Sequence, residues 1–401
     1  MRGYSIGHKQ LISQCLSMLP TENFSDPLVN YEYNKLSVDA LMKVFVAAQL
    51  DKWESYADME EKLQANPEFC ESIGLESISA SQLSRRINDL PTKWAQTLFE
   101  KVVRILQDLT QDCKGVNSRI GRLSIIDSTH LKLPPQLCEW AYVTKGWNVV
   151  KMHTRIAVVS EDTSYPDKMV PSTGNVGDVE TPDCLVEQLY STYLMDRGYP
   201  SIKNLRSWQD QNIQFVVRVT KNFRIIPMET YSTSHPSILQ DAKARYSHAK
   251  EPVRLVEFLD EEGKRYRLLT TRWDLSAEEI MDLYRYRWMI ETFFKWIKQH
   301  LRFVKIWSTT PQGIWNQLFL ALIAYCLALI FQLKTKTTRT LWEFLRLMRT
   351  YMFKPYEVFI KALNAKKSKT SRGRQKIPIP KQRGTPFKGN VAIIKEQKRK
   401  N

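Results

Sequence analysis

Two patterns of apolar and polar positions divide this chain. In residues 1–115 the apolar residues recur at helical spacing, and no run of strand type interrupts them. Residues 123–220 instead alternate short apolar runs, typical of buried strands, with segments of helical spacing. Helical spacing returns after Ser276, which has Glu279 at the distance of a capping box. The patterns therefore predict a helical N-terminal part followed by an alternating α/β part.

Two of the predicted strands are followed by acids. Apolar runs lead to Asp127 and to Asp196, and we interpret each run as a buried strand that ends at its acid. A single aspartate at a strand end is most often a turn residue, so neither acid indicates a site by itself. Three other acids compete for the second position, namely Asp178, Glu180 and Asp183. No apolar strand precedes them, so the pattern favours Asp196.

Residues 284–298 combine a polar stripe with an adjoining apolar face on one predicted helix. The polar residues are Tyr284, Arg287, Glu291 and Lys298. At about 100° per residue they fall within roughly 60° of one another, at the rim of a buried surface. A carboxylate held between cations in such a place suits a metal or phosphate site. The alternative is that Glu291 forms only ordinary ion pairs with cations one helical turn away.

The tyrosine, arginine, glutamate and lysine at this spacing, followed by an apolar helix, resemble the Y-R-E-K signature of DDE transposases from the insertion-sequence IS-four group. All four positions match. In that family the glutamate is the third metal-binding carboxylate, and the other three residues contact DNA near the transposon end. The resemblance implies these roles for Glu291 and for Tyr284, Arg287 and Lys298. It also requires two strand-end aspartates upstream, which the sequence supplies.

The resemblance implies catalytic and metal-binding roles for Asp127, Asp196 and Glu291. They would hold two magnesium ions, for which manganese can substitute, and Asp127 would bridge both ions as the corresponding acid does in the family. Magnesium accepts oxygen ligands and keeps waters that a substrate can displace. Two such ions activate the attacking oxygen and stabilise the leaving oxygen of a phosphodiester.

The implied fold class is an α/β ribonuclease-H-like core, a mixed sheet flanked by helices, with a β-rich insertion, an all-α N-terminal domain and a basic tail. The implied function is cut-and-paste DNA transposition of an insertion sequence, through a hairpin intermediate as in family members that carry a β-rich insertion. Its partners would be double-stranded DNA, at inverted-repeat ends and at the target, and a second copy of the chain. Two alternatives are a ribonuclease-H-like nuclease and a non-catalytic DNA-binding protein derived from a transposase.

Six segments are expected along the chain. They are a helical DNA-binding domain (1–115), the first part of the catalytic core (116–220), a β-rich insertion (221–270), the second part of the core with the signature helix (271–335), a helical segment (336–363) and a basic disordered tail (364–401).

The N-terminal part holds a candidate DNA-binding helix. Residues 79–89 fit the recognition half of a helix-turn-helix motif in which Arg85 and Arg86 face DNA. A plain helical bundle with a basic turn fits the same residues. Ser37 and Pro91 are predicted to begin two further helices.

The charge of the chain agrees with a nucleic-acid partner. The 401 residues include 59 basic and 42 acidic ones, which gives a net charge of +17. Residues 361–401 contain fourteen Lys and Arg and one Glu, so most of the excess lies at this end. The alternative is a soluble basic protein that merely carries a charged tail.

The sequence predicts a cytoplasmic protein associated with the nucleoid of a bacterium or an archaeon. Its six cysteines show neither a CxxC motif nor zinc spacing, as expected for buried thiols in a reducing compartment. The first residues lack the apolar segment of a signal peptide. The apolar run at residues 318–331 is short for a membrane span, so we expect a buried helix and no membrane partner.

Other motifs add little. The sequence has no Walker or HExxH motif, and its GxSxG match at residues 3–7 follows no predicted strand, so serine-hydrolase, P-loop and zinc-protease functions have little in their favour. His130 lies three residues past Asp127, and His153 begins a predicted strand. The alternative is a histidine metal ligand or base, but we expect structural or substrate-positioning roles for both. Three tryptophans either pack in the core or stack on an unpaired base at a DNA end, as a tryptophan does in the family. They are Trp273, Trp288 and Trp296.

Overall fold

The computed structural model describes residues 9–24, 36–187 and 190–365 of the chain. Its first section is built of helices, as the spacing of apolar residues predicts, and no strand occurs among the described residues before Leu123. The helices are α1 (Leu11–Leu16), α2 (Val38–Asp51), α3 (Tyr56–Gln64), α4 (Pro67–Ser72), α5 (Ala80–Asp89) and α6 (Thr92–Leu109). The basic tail predicted for residues 364–401 lies outside the described ranges except for its first two residues.

The predicted helix starts are confirmed. Ser37 caps α2, because its side chain accepts a hydrogen bond from the Ala40 N–H at 3.1 Å. Pro91 directly precedes α6. Ser276 and Glu279 form the expected capping box, with the Ser276 N–H donating to the Glu279 carboxylate at 2.8 Å and the Glu279 N–H donating to the Ser276 hydroxyl at 3.1 Å.

A ten-stranded sheet forms the centre of the described chain. The strands are β1 (Leu123–Leu133), β2 (Tyr142–Thr144), β3 (Trp147–Val158), β4 (Ser164–Thr173), β5 (Thr192–Met195), β6 (Gln214–Arg218), β7 (Ile225–Thr230), β8 (Ile238–Tyr246), β9 (Val253–Leu259) and β10 (Arg265–Thr270). Their order is β2, β3, β1, β5, β6, β10, β9, β8, β7, and β4 also pairs with β3. The β1/β5 and β5/β6 pairs are parallel and the other pairs of these strands are antiparallel. The sheet is therefore mixed, as predicted.

Helices cover both faces of this sheet. The later helices are α7 (Pro182–Leu185), α8 (Ile202–Asp210), α9 (Ala277–Arg285), α10 (Trp288–His300), α11 (Pro311–Thr335), α12 (Leu341–Thr350) and α13 (Tyr356–Asn364). Because alternate residues of a strand face opposite sides, Ile125 joins the apolar cluster that contains α10 and α11, whereas Ile126 joins the cluster that contains α8. The odd-numbered residues of β1 therefore face α10.

The buried helix predicted around residues 318–331 is α11. It packs against α2, α5, α6, α12 and β4, so the N-terminal helices and the sheet share one core. Among the described residues, α11 is the one helix long and apolar enough to cross a membrane, yet 94% of its most apolar window is buried inside the protein. Its apolar surface is thus accounted for by packing against protein.

The four strands β7 to β10 give residues 221–270 the β-rich character that the sequence predicts. They do not form a second sheet, because β10 pairs with β6 and β9, β8 and β7 follow in turn. This segment therefore extends the central sheet beyond β6.

Two expected elements differ in length. β1 does not end at Asp127 but continues to Leu133, because buried Leu131 and Leu133 alternate with exposed residues and pair with β3. The sequence also predicts a helix over residues 183–190, whereas the structure has the four-residue α7 there, and residues 188–189 lie outside the described ranges. All six cysteines, each within the described ranges, are free; Cys184 is exposed and Cys113 is partly buried, and the other four are buried.

Candidate active site

The signature residues lie on two helices rather than on one. α9 ends at Arg285 and α10 begins at Trp288, so Arg287 lies in the turn between them. Hydrogen bonds across this turn span three residues, from the Arg287 N–H to the Tyr284 carbonyl at 3.1 Å and from the Ile290 N–H to the Arg287 carbonyl at 3.3 Å. The expectation of one continuous helix is therefore wrong, although Tyr284, Arg287 and Lys298 still contact β1 or the end of β5.

The two aspartates lie side by side on neighbouring strands. Ile126 of β1 is paired with Met195 of β5 in a parallel ladder, so Asp127 and Asp196 come directly after the same pair. Neighbouring strands lie about 4.8 Å apart. Asp196 follows the last residue of β5, as predicted, whereas Asp127 is internal to β1. Alternation along β1 directs the Asp127 side chain toward α10.

Arg287 joins the first aspartate to the glutamate. One nitrogen of its guanidinium lies 3.4 Å from the Asp127 carboxylate, and another donates a hydrogen bond to Glu291 at 2.7 Å. The Arg287 side chain is only 9% exposed, whereas Glu291 is 39% exposed. Arg287 thus holds both carboxylates from the protein side, and Glu291 remains open to solvent.

Tyr284 and Arg218 both face Asp196. The Tyr284 hydroxyl donates to the Asp196 carboxylate at 3.3 Å, and an Arg218 nitrogen lies 3.7 Å from the same oxygen. The Arg218 guanidinium also lies 4.3 Å from the ring centre of Tyr266 on β10. Sequence reasoning missed Arg218. The available signal was a cation at the end of the apolar β6 strand, which runs parallel to β5 and ends at the same edge.

Lys298 anchors the far end of α10 to β1. Its ammonium group donates a hydrogen bond to the Thr129 hydroxyl at 2.6 Å. Thr129 is two residues beyond Asp127 and therefore on the same face of β1. Burial lowers the pKa of Lys298. All four signature residues and both aspartates thus lie at one edge of the sheet, meaning the edge at which the parallel strands β5 and β6 end, beside Asp127 in β1.

Asp127 is in an environment that disfavours its charge. Burial raises the pKa of Asp127 to about 6, against the lowering effects of the Ser128 N–H and Arg287, and the charges of Asp196 and Asp178 raise it further. A carboxylate that is buried among other acids gains from a nearby cation.

The chemistry of the donors suits a divalent cation that prefers oxygen ligands, because the three acids are carboxylates. Within the described ranges, no three His, Cys, Asp or Glu side chains stand close enough together to share one ion. The guanidinium of Arg287 instead provides the positive charge between Asp127 and Glu291. The three carboxylates would need a local rearrangement of Arg287 to bind one ion jointly.

Comparison with known proteins decides the family. The family model described as "Transposase DDE domain" matches residues 119–327, just over half of the chain. The chain belongs to the DDE transposase family. The matched range contains the three carboxylates and the whole stretch from Tyr284 to Lys298.

Three relatives support the same assignment. A Geobacillus stearothermophilus protein, named as a probable transposase for insertion sequence element IS5377, is 26% identical over 298 residues, which are 72% of this chain and 74% of the relative. A Sinorhizobium fredii protein whose name places it among transposases, y4zB, is 27% identical over 60% of this chain and 70% of its own. A Synechocystis protein named for insertion sequence element IS4SA is 23% identical over 58% of this chain and 67% of its own.

The histidines of this DDE transposase lie apart from the carboxylates. His153 is paired with Ser128 across the β1/β3 ladder, on the opposite face from Asp127, and its side chain is fully buried. One ring nitrogen lies 2.9 Å from the Ser172 hydroxyl. Burial lowers the pKa of His153 to about 4, although Asp178 raises it, so the ring is neutral at physiological pH. His130 is exposed.

The tryptophans differ in exposure. Trp288 is 59% exposed, and its ring centre lies 5.6 Å from the Arg287 guanidinium, so it is beside the site. Trp273 is also exposed, whereas Trp296 packs against His300 and Tyr325. Of the three, Trp288 combines exposure with proximity to the carboxylates.

The two arginines of α5 have opposite environments. Arg85 is exposed, but Arg86 is buried and donates a hydrogen bond to the Leu36 carbonyl at 3.4 Å. The expectation that both face DNA is therefore wrong for Arg86. The reason is helical spacing, because Arg86 falls on the buried face of α5 between Leu83 and Ile87.

Proposed function

We propose that this chain is the transposase of an insertion sequence and that Asp127, Asp196 and Glu291 catalyse DNA strand cleavage and transfer. One observation carries the proposal: Arg287 links Asp127 to Glu291 beside Asp196, although the acids come from separate parts of the chain. An ordinary ion pair within α10 requires only Arg287 and Glu291. The convergence on Asp127 as well favours a catalytic assembly.

The proposed cofactor is a pair of magnesium ions, for which manganese can substitute, and Asp127, Asp196 and Glu291 would hold it. Such ions activate the attacking oxygen of water or a 3′-hydroxyl and stabilise the leaving oxygen of the phosphodiester. The protein orients Asp127 in advance, since the Ser128 N–H donates to one of its oxygens at 2.8 Å. Tyr284 restrains Asp196 in the same way.

Three residues of the signature, Tyr284, Arg287 and Lys298, are proposed to bind the transposon end. Arg287 and Lys298 carry positive charge at the edge where the carboxylates meet, and both are held by partners on β1. Cations fixed in this way neutralise phosphates without a large loss of side-chain entropy. Their contacts would position the scissile phosphate, whereas base recognition would come from elsewhere in the protein.

The catalytic core is proposed to be ribonuclease-H-like. The sheet order β4, β3, β1, β5, β6 supports this, with three antiparallel strands followed by two parallel ones. Strands β7 to β10 are then the β-rich insertion, and they lie in sequence between Asp196 and Glu291. Family members that carry the signature and a β-rich insertion form a hairpin intermediate. We therefore include cut-and-paste transposition through such an intermediate in the proposal.

The remaining parts of the proposal concern recognition and assembly. The N-terminal helices would bind the inverted-repeat ends, with exposed Arg85 rather than Arg86 as the contact on α5. A homodimer would pair the two ends in the cytoplasm, close to the nucleoid. The domain boundaries after residues 115, 220, 270, 335 and 363 remain a prediction. Across the first of these boundaries, the N-terminal helices and the core share the packing around α11.

The test is a cleavage assay on DNA that spans the ends of the element, taken from the sequence flanking the gene. Purified protein with magnesium is expected to nick an end-labelled fragment and then to form a hairpin, seen on a denaturing gel at early times. With a target plasmid present, joined products should appear. Linear double-strand breaks alone would contradict the hairpin step. Cleavage without any joined product would indicate a nuclease instead.

A further inference from the structure

Asp178 joins two structural elements next to the candidate active site without being one of its three carboxylates. It begins a short 3₁₀ helix, Asp178–Glu180, between β4 and β5. One oxygen of its carboxylate accepts a hydrogen bond from the Ser128 hydroxyl at 2.9 Å and another from the Lys151 ammonium at 2.9 Å. Ser128 is the neighbour of Asp127, so this carboxylate is anchored one residue away from the site.

The buried Lys151 side chain explains why residue 178 carries a negative charge. Its side chain is only 8% exposed, and its other hydrogen bond goes to the Val176 carbonyl at 3.0 Å. A buried ammonium group requires an anionic partner, and Asp178 supplies it. Lys151 and Ser128 extend from β3 and β1, so the pair fixes Asp178 to the sheet on the face opposite Asp127.

The other side of Asp178 contacts the segment that follows Asp196. A Cβ atom added to Gly198 would lie 3.3 Å from the second carboxylate oxygen and 3.5 Å from the Asp178 Cβ. The absence of a side chain at Gly198 therefore lets Asp178 pack on the backbone two residues beyond Asp196. Asn204 strengthens this connection, because its side-chain amide donates to the Val179 carbonyl at 3.0 Å and to the Tyr199 carbonyl at 2.9 Å.

We propose that Asp178 is a positioning residue that sets the separation of Asp127 and Asp196. Its carboxylate accepts a hydrogen bond from Ser128, next to Asp127, and packs close to the backbone of Gly198, two residues beyond Asp196, so one residue braces both segments that carry the aspartates. A metal site depends on ligand placement within about 0.5 Å. Loss of a residue that orients ligands typically weakens metal affinity 10–100-fold. This inference rests on the proposed function, because it assumes a metal at Asp127 and Asp196.

The contacts of Asp178 with Ser128 and Gly198 are called the brace below. The test compares metal binding in two variants that disturb these contacts in different ways. The first is the double variant Asp178→Ala with Lys151→Met, which avoids leaving a buried unpaired charge. The second is Gly198→Ala, which keeps the Asp178–Lys151 pair but pushes Asp178 away from the backbone. Asp183→Asn is the matched control, since Asp183 is an exposed acid in the same segment, 3.6 Å from Lys203.

The measurement is binding of Mn²⁺ alone to the DNA-free protein, followed by the electron paramagnetic resonance signal of free Mn²⁺. Both brace variants should bind about 10–100-fold more weakly than the wild type. The Asp183→Asn control should bind like the wild type. A purely structural role would lower the melting temperature and leave the affinity of the folded protein unchanged. Unchanged affinity in both folded variants would overturn the inference.

The outcome for the wild type separates this inference from the proposed function. If wild-type protein binds Mn²⁺ and Asp127→Asn abolishes binding, the metal site of the proposed function stands, and the brace variants alone decide the role of Asp178. If wild-type protein binds no Mn²⁺, the metal part of the proposed function fails and the inference fails with it.

Discussion

The guanidinium of Arg287 lies 3.4 Å from the carboxylate of Asp127, although 160 positions separate the two residues in the sequence. This contact connects the turn between α9 and α10 to the middle of β1. It also places a fixed positive charge next to a carboxylate whose pKa is raised to about 6, mainly by burial. The positive charge of Arg287 therefore favours the ionised form of Asp127.

Removing the Arg287 guanidinium should impair cleavage far more than folding. We expect Arg287→Gln to reduce the rate of nicking about 100-fold or more, which corresponds to about 2.7 kcal/mol of transition-state stabilisation. Arg285→Gln is the matched control, because Arg285 is 61% exposed and pairs with Asp282, one helical turn away. The measurement is the initial nicking rate of each variant, taken at DNA concentrations at which both variants are equally occupied by DNA. Equal rates would remove Arg287 from the site.

Much of this site could be predicted from the sequence because its signals are local. The helix start at Ser276, the strand end at Asp196 and the four-residue stripe depend on neighbours within a few positions. The four polar residues stay close together although the structure has two helices instead of one. The reason is that Arg287, in the turn, keeps nearly helical torsion angles, φ −53° and ψ −29°. Local patterns therefore identified residues that the structure brings together, despite an error in the element.

What the sequence could not supply was pairing between distant segments. β1 continues past Asp127 because β3 pairs with it as far as Leu133, and no local feature of the Asp-Ser-Thr run reveals that partner. The burial of Arg86 follows from packing of α5 against α11. The positions of Arg218 and Asp178 likewise depend on which strands become neighbours. Tertiary contacts decide each of these cases.

The stability of the protein should depend on pH through His153. Its pKa in the folded protein is lowered to about 4 by burial, with Lys151 and His130 also lowering it and Asp178 raising it, whereas an unfolded histidine titrates near 6.5. Between these values the unfolded chain binds the proton more tightly. Stability is therefore fully present above pH 6.5 and is lost as the pH falls toward 4.

Urea unfolding at pH 7 and pH 4.5 tests this effect. We expect the wild type to lose about 2 kcal/mol more than His153→Asn does between these two conditions. His248→Asn is the control, since His248 is exposed and asparagine tolerates its positive φ of 60°. If the wild type and His153→Asn show the same pH dependence, the buried ring does not account for it.

The basic C-terminal residues should contribute affinity for DNA without sequence preference. Residues 361–401 carry 13 of the 17 net positive charges. Each phosphate that they neutralise adds about 0.9 to the slope of log K against log salt. Deleting residues 366–401 retains all of α13 and should weaken binding to cognate and random duplexes alike, while the slope falls by several units.

Salt titrations on both kinds of duplex measure this contribution. A variant with the same tail residues in shuffled order is the control, and it should bind like the wild type because only charge is involved. An unchanged salt slope after deletion would exclude the tail as a DNA-binding element. Loss of stability or of oligomers would instead indicate that the tail packs against protein.

The central claim is that Asp127, Asp196 and Glu291 act together as carboxylates in metal-dependent cleavage. The direct measurement is the initial rate of nicking in magnesium, on an end-labelled fragment from the element's terminus, for Asp127→Asn, Asp196→Asn and Glu291→Gln. Asp282→Asn serves as control, since Asp282 is 58% exposed on α9 and pairs with Arg285. We predict that each of the three variants binds the fragment nearly as well as the wild type and nicks it at less than about one thousandth of the rate, whereas the control is unaffected. Nicking at the wild-type rate by any one of the three would contradict the claim.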